Sequence, residues 1–244
     1  MTPTITPERF AQGMTFDEYV AYIGTPENLA RESTTVAQPD GTMRRNPGRR
    51  DFSHFFAEAF RNSRLTEYQI EALTRLASMR GGPAKLLVIS EDWSSDCRRD
   101  VPTFARIAAV TGMELRIFRR DGQAFSDAHV PSLDDAPDSN ADIMAQFLNH
   151  KNGDTWQSIP VAAFFSRDMG YLYHYTEYPE LYEKDRLRGH MNEPKPGETP
   201  EQTRERSARE FQELQDSAYF RIWASAAVDE IVSALHRRMV LGAV

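Results

Sequence analysis

Cys97 and Ser94 stand three residues apart in Ser94-Ser95-Asp96-Cys97, directly after Trp93. At that spacing a thiol and a hydroxyl can share the N-terminus of one helix, where free backbone N–H groups and the helix dipole stabilise an anion. A thiolate is such an anion, and cysteine pKa values fall at helix N-termini. Burial raises a thiol pKa, and the neighbouring Asp96 carboxylate opposes a second negative charge. Dipole, burial and carboxylate therefore compete for the proton on Cys97. The chain holds 1 cysteine, so an intrachain disulfide and a zinc site built mainly on thiolates are both excluded. Each residue also has a plainer role: Ser94 as a helix N-cap, Cys97 as a small buried side chain.

The elements that must position this segment lie around it. Lys85–Ser90 is a short apolar run of the kind a buried central strand shows. Ser94–Thr111 is helical, with Val101, Phe104, Ala105, Ile107 and Ala108 on one side and Pro102 predicted to bend it. Glu114–Phe118 alternates polar and apolar residues and reads as the next strand. Strand, helix and strand with short links form a right-handed parallel unit. Residues 90–97 then fall at the C-terminal end of a strand, where α/β sheets bind ligands. Further on, Ser158-Ile159-Pro160-Val161 sets a proline directly before a strand, where a cis bond is expected. Val161–Phe165 and Tyr171–Tyr175 form an antiparallel hairpin.

Outside this unit the patterns are helical or irregular. Phe16, Tyr19, Val20 and Ile23 predict a helix that stops at Gly24-Thr25-Pro26. Residues 33–50 read as a loop or mobile arm, whose Arg44, Arg45, Arg49 and Arg50 either grip a phosphate or are simply solvated. Helical patterns run from Asp51 to Arg80 and from Ala141 to Leu148. After a break at Glu193–Gly197, another runs from Thr199 to near Leu241. Tyr171, Tyr173 and Tyr175 share one strand face, placed to pack on the C-terminal helices or to cover an aromatic ligand.

Composition narrows the classes. Hydrophobic residues are 40% and charged residues 27%, a soluble globular mix. Lys and Arg number 29 against 36 Asp and Glu, for a net charge of −7. That balance predicts no nucleic-acid and no membrane partner. No secretory signal and no run near the ~20 apolar residues of a spanning helix is present, so a cytoplasmic location is expected. The 6 histidines show no metal-ligand spacing, and no metal site is expected. No glycine-rich phosphate loop and no Gly-x-Ser-x-Gly elbow occurs.

Trp93 with Ser94–Cys97 after a strand, the helix holding Pro102, Ser158–Val161 and the following hairpin together resemble the thioredoxin superfamily. The lead-in Glu91-Asp92-Trp93 is similar to a bacterial subgroup of thioredoxin family proteins whose motif reads Glu-Asp-Trp-Cys-Gly/Ser-Asp-Cys. The resemblance covers roughly residues 66–178. It implies an α/β, thioredoxin-like fold with an N-terminal helical extension over 1–65 and a C-terminal one over 179–244. The extensions would shape the pocket or form a homodimer interface. By the same resemblance, Trp93, Ser95 and Asp96 line a substrate groove, and Pro160 presents the backbone at Ile159 to an incoming peptide or thiol. Glu91 and Asp92 are then proton acceptors beside the site or solvated carboxylates at a strand end. Residues 178–186 lack the Trp-Gly-Pro-Arg-Pro-like ending common in the broader subgroup.

One departure shapes the expected function. The family's attacking cysteine would fall at Ser94, and a hydroxyl cannot begin disulfide exchange near neutral pH. Intrachain dithiol cycling is excluded for this sequence. Four readings remain. Ser94 can stand in a Cys-to-Ser form of a dithiol oxidoreductase. Cys97 can act alone, holding a mixed disulfide with a protein or small-molecule partner that glutathione or another small thiol resolves. Ser94 can hydrogen-bond a bound thiolate, as in glutathione transferases. Or the domain is a redox-inactive binding or scaffold protein. The expectation drawn here is thiol–disulfide chemistry, with Cys97 and Ser94 as catalytic residues and no cofactor beyond such a thiol.

Overall fold

The computed structural model describes residues 2–38, 43–45, 48–134, 139–151 and 153–242. Helices α1 (Pro7–Ala11), α2 (Phe16–Ile23) and α3 (Pro26–Leu29) come first, opened by Thr6, Thr15 and Thr25. Each threonine hydroxyl accepts a hydrogen bond from the first turn of its helix, satisfying a donor that the helix itself leaves open. A hairpin of β1 (Thr35–Ala37) and β2 (Met43–Arg45) precedes α4 (Ser53–Asn62) and α5 (Glu67–Ser78). Then come β3 (Lys85–Ser90), α6 (Ser95–Thr111), β4 (Glu114–Arg119), α7 (Ala141–Met144) and a small hairpin of β5 (Asn149–Lys151) and β6 (Asp154–Trp156). The chain continues with β7 (Val161–Phe165), β8 (Tyr171–Thr176) and a 3-10 turn at Glu180–Tyr182. It ends in α8 (Lys184–Asn192), α9 (Pro200–Asp216) and α10 (Ala218–Leu241).

The central sheet has the order β4-β3-β7-β8. β3 and β4 are parallel, in register from Lys85 opposite Glu114 to Ser90 opposite Arg119, and β7 runs antiparallel to both its neighbours. All of β7 and all but the first residue of β3 are buried, so both sheet faces are covered; this is why these strands read as unbroken apolar runs. On β8, α10 supplies Ala227, Val228, Ile231 and Leu235 to the same core, with α5 and α6 beside it. Phe10, Tyr19, Ile23 and Phe56 from the N-terminal helices, and Ile143, Met144 and Phe147, join that core. At the outer edge of the sheet, the Met14 N–H donates to the Ile117 carbonyl at 2.9 Å and the Ile117 N–H to that of Met14 at 2.7 Å. The segment thereby covers part of an otherwise open strand. A βαβ unit followed by an antiparallel hairpin and a closing helix is the thioredoxin-like arrangement, in the α/β class expected.

Several element boundaries differ from the sequence reading. Residues 33–50 are not simply an irregular arm: Thr35–Ala37 pairs with Met43–Arg45, and residues 39–42, 46 and 47 of that stretch lie outside the described residues. The pattern over 51–80 is two helices, because Ser63 is extended and Thr66 opens α5 with a reciprocal capping box to Gln69. The 199–241 stretch is likewise broken at Ser217, extended at φ −83°, ψ 167°. Helix α7 ends at Met144 rather than Leu148, since the chain turns there into the β5–β6 hairpin around Gly153 at φ 77°.

Candidate functional site

Residues 91–94 carry the chain from β3 into α6. Ser94 is the N-cap, as its type and place predict: it is extended, and its Oγ accepts from the Cys97 N–H at 3.3 Å. Pro102 lies inside the helix, and Gly112 closes it in the left-handed region, at φ 72°, with its N–H on the Ala108 carbonyl. Cys97 sits on the inner side of the first turn with no exposed surface, as a member of the hydrophobic core. Its sulfur accepts from the Glu91 N–H at 3.5 Å and lies against the Ser90 and Ser94 hydroxyls. Burial pushes the thiol up to about 12, past the opposing effect of those donors, and the Asp96 charge adds to the rise. Burial wins the competition for the proton.

In front of the cap lies a cleft of about 400 Å³, lined by Trp93, Ser94, Ser95, Asp96 and Ile159 together with Arg98, Arg120, Gln157, Ser158, Glu177, Lys184 and Gln215. Five of the predicted site residues therefore share one surface. The other two do not line it: Cys97 is behind it, and Pro160 is buried after a cis Ile159–Pro160 bond. Trp93 meets Phe125 edge-on at 5.2 Å between ring centroids, with the Arg120 guanidinium 5.3 Å from its centroid. Its buried Nε1 has no hydrogen-bond partner among the described residues. Arg98 turns one Nη back onto the Asp92 and Trp93 carbonyls, at 3.1 and 2.7 Å, and lies 4.3 Å from the Phe52 ring centroid.

Glu91 and Asp92 are neither solvated nor placed to take protons from a substrate. Both are buried, and both hold the N-terminal extension. Glu91 accepts from Arg31 at 2.9 Å, from the Asp121 N–H at 2.8 Å and from Arg49 at close range. Arg49 also reaches Asp92 at 2.7 Å, and Asn28 donates to the other Asp92 oxygen at 3.1 Å. Burial works against the Glu91 charge, but Arg31 and Arg49 reverse it and hold the carboxyl below its usual range. Burial prevails at Asp92 and at Asp121, which lie above theirs. Arg49 is thus neither a solvated loop residue nor a free phosphate grip, whereas Arg44 is exposed.

A second network closes the far side. Asp96 accepts from Arg99 at 2.7 Å and makes a close ion pair with Lys184, which also meets Glu177 at 3.1 Å. Glu177 takes Lys151 at 2.7 Å, and Arg99 continues to Asp100, which accepts from the Tyr175 hydroxyl at 2.9 Å. The Asp96 carboxylate is therefore turned to the C-terminal helices. Of the three tyrosines expected on one face of β8, Tyr173 reaches the closing helix, its hydroxyl donating to Glu230 of α10 at 3.1 Å. Tyr175 packs on Phe104 of α6, and a bulge opposite Phe164 and Phe165 takes Tyr171 out of the alternation, its hydroxyl 2.6 Å from His174.

Sequence reasoning missed Arg98, Arg120, Glu177 and Lys184 as neighbours of the site. Arg98 carried a signal: two arginines follow Cys97 in the first turns of a helix, where the dipole disfavours cations, so something else must hold them. Lys184 carried none, being 88 residues from its partner Asp96. Among the described residues, no cluster of three or more His, Cys, Asp or Glu is arranged to hold a metal ion, and no helix is long and apolar enough to cross a membrane.

A family model described as thioredoxin matches residues 57–127, which contain α5, β3, the Trp93–Cys97 segment, α6 and β4. No curated protein matches the chain. Two solved structures are similar at 13% identity and a TM-score of 0.49, with 95% of this chain and 98% of theirs covered: a protein of unknown function from Pseudomonas aeruginosa and an HIV epitope scaffold. The matched span, lying on a sheet and helix of thioredoxin-like topology, supports the thioredoxin superfamily as the wider group to which this chain is related.

Proposed function

We propose that this chain is a thioredoxin-fold binding protein that recognises a ligand in the cleft between the start of α6 and Ile159 without exchanging disulfides. The observation that carries this reading is the state of Cys97: fully enclosed, protonated far beyond neutral pH, and screened from the cleft by its own N-cap. Thiol exchange needs a thiolate that its partner can reach. With serine at the outer position and the sulfur at the inner one out of contact, neither half of that chemistry is at hand. What faces the cleft instead is recognition surface: the Trp93 ring, the Ser94 and Ser95 hydroxyls, and the Arg98 and Arg120 guanidiniums.

The test is intact-mass spectrometry of the folded protein after incubation with oxidised glutathione at neutral pH. The expected result is an unmodified mass, with an adduct on Cys97 appearing only when denaturant is added. A stoichiometric adduct on the native protein would overturn the proposal and restore Cys97 as a monothiol centre. A second reading is favoured by the place of Ser94, which lines the cleft and touches Cys97 at once: the fold has kept the layout of a dithiol site, with an oxygen in the attacking position.

A further inference from the structure

Beside the cleft lies a larger cavity of about 620 Å³ between α4, α6 and α10, and the two meet at Ser95, Arg98 and Gln215, which line both. The walls of the larger cavity are mostly apolar, drawn from Phe55, Leu65, Pro102, Phe220, Ala224 and Val228. Its cations outnumber its anions: Arg64, Arg98 and Arg221 stand against Glu58, while Arg99 is neutralised by Asp96 and Asp100. At the junction, Arg98 makes no carboxylate contact among the described residues. One of its Nη atoms is spent on two backbone carbonyls, and its stacking on Phe52 fixes the guanidinium plane. The donors on its remaining edge are left for something else. Burial with no contacting counter-ion also lowers the Arg98 pKa, a cost that an arriving anion would relieve.

We propose that this cavity binds a carboxylate with an apolar chain, its head on the free edge of Arg98 beside the Ser95 hydroxyl and its chain along the apolar wall of α10. A planar guanidinium held in place suits a carboxylate, which accepts two parallel N–H bonds. The apolar wall rewards the hydrocarbon in proportion to the area it covers. The inference deepens the binding-protein reading and rests on it, since a site for thiol exchange would have to leave this approach open.

Decanoate is the probe, titrated into the full chain by isothermal calorimetry with decan-1-ol as its uncharged counterpart. Decanoate is expected to bind saturably and roughly tenfold or more tighter than the alcohol, the usual scale for a charge-assisted pair. Arg98→Gln should abolish that preference, bringing the affinity for decanoate down to that for decanol. Ala224→Trp, which fills the opposite wall without touching Arg98, should weaken both. Equal affinity for acid and alcohol on the native protein overturns the proposal, as does decanoate binding that Arg98→Gln leaves intact. The comparison of acid with alcohol needs no variant, so it stands even if Arg98→Gln does not fold. Because Cys97 takes no part, the glutathione experiment can fail or succeed independently of this one.

Discussion

Ser94 and Cys97 stand three residues apart at the start of α6, the hydroxyl lining the cleft and the sulfur lying in the core. Ser94 is useful there for another reason: its Oγ is the acceptor that Cys97 N–H would otherwise lack. Ser94→Ala should therefore lower stability by about 1 kcal/mol, read as a shift in denaturation midpoint with no change in fold. Ser94→Cys tests whether the two positions have the layout of a dithiol site. With oxidised glutathione the two thiols should close to a disulfide, two glutathione molecules leaving as thiols. The product would be lighter by two hydrogens and closed to alkylation. Persistence of two free thiols under those conditions would show that the geometry is not that of a dithiol site. At this scale much of the site was legible. Trp93 to Asp96 and Ile159, which line one cleft, were named through a family resemblance that itself rests on local patterns, a helix start after one strand and a proline before another. The state of Cys97 was not, because the burial that decides it comes from the packing of distant residues such as Tyr19, whose hydroxyl lies 2.9 Å from that of Ser90.

Two arrays of buried charge tie whole elements to the sheet. Arg49, after the β1–β2 hairpin, holds Glu91 and Asp92 at once, and its side chain is 1% exposed. Arg49→Ala would leave two buried carboxylates short of a partner, and losses of roughly 3–5 kcal/mol follow from such a change. Chemical denaturation measures the loss, and faster proteolysis within residues 31–50 would locate it. Lys184 does similar work for α8, but Asp96 keeps Arg99 and Glu177 keeps Lys151 when it is removed. Lys184→Met should accordingly cost less, roughly 1.5–3 kcal/mol, with amide exchange accelerating over residues 180–216 and little elsewhere. Neither array could be anticipated from the local pattern: the basic stretch at 44–50 looks like a solvated loop, and only the fold shows that Arg49 crosses to the end of β3.

For the molecule as a whole, the C-terminal array predicts how its attachment answers to pH. Burial would raise the Glu177 pKa, but Lys184 and Lys151 bring it below its usual range, and Lys184 is itself held above its own. The Glu177 contribution is therefore complete above the ordinary glutamate value and is lost as pH falls through the lower folded one. The Lys184 contribution is complete below the ordinary lysine value and is lost only as pH rises past the higher folded one. Residues 180–216 should stay docked across the neutral range and loosen in acid below about pH 4, seen as amide exchange that rises there before the sheet opens. Asp92 and Asp121 act oppositely, since their folded values are raised: ionising them weakens the fold as pH climbs past the ordinary aspartate range. The topology itself was written plainly in the chain, as β3, β4, β7 and β8 are apolar or alternating runs and α6 is periodic. The two broken helices were less so, because a single extended residue such as Ser217 scarcely disturbs an apolar rhythm.

Helix α10 covers β8 and fills the core with Val228, Ile231 and Leu235, yet it is made well after the strand it covers. While the ribosome works through residues 177–217, β8 has been synthesised and its cover has not. The nascent chain must therefore shelter an unclosed apolar layer during translation, a state in which chaperone engagement and misassembly compete with folding.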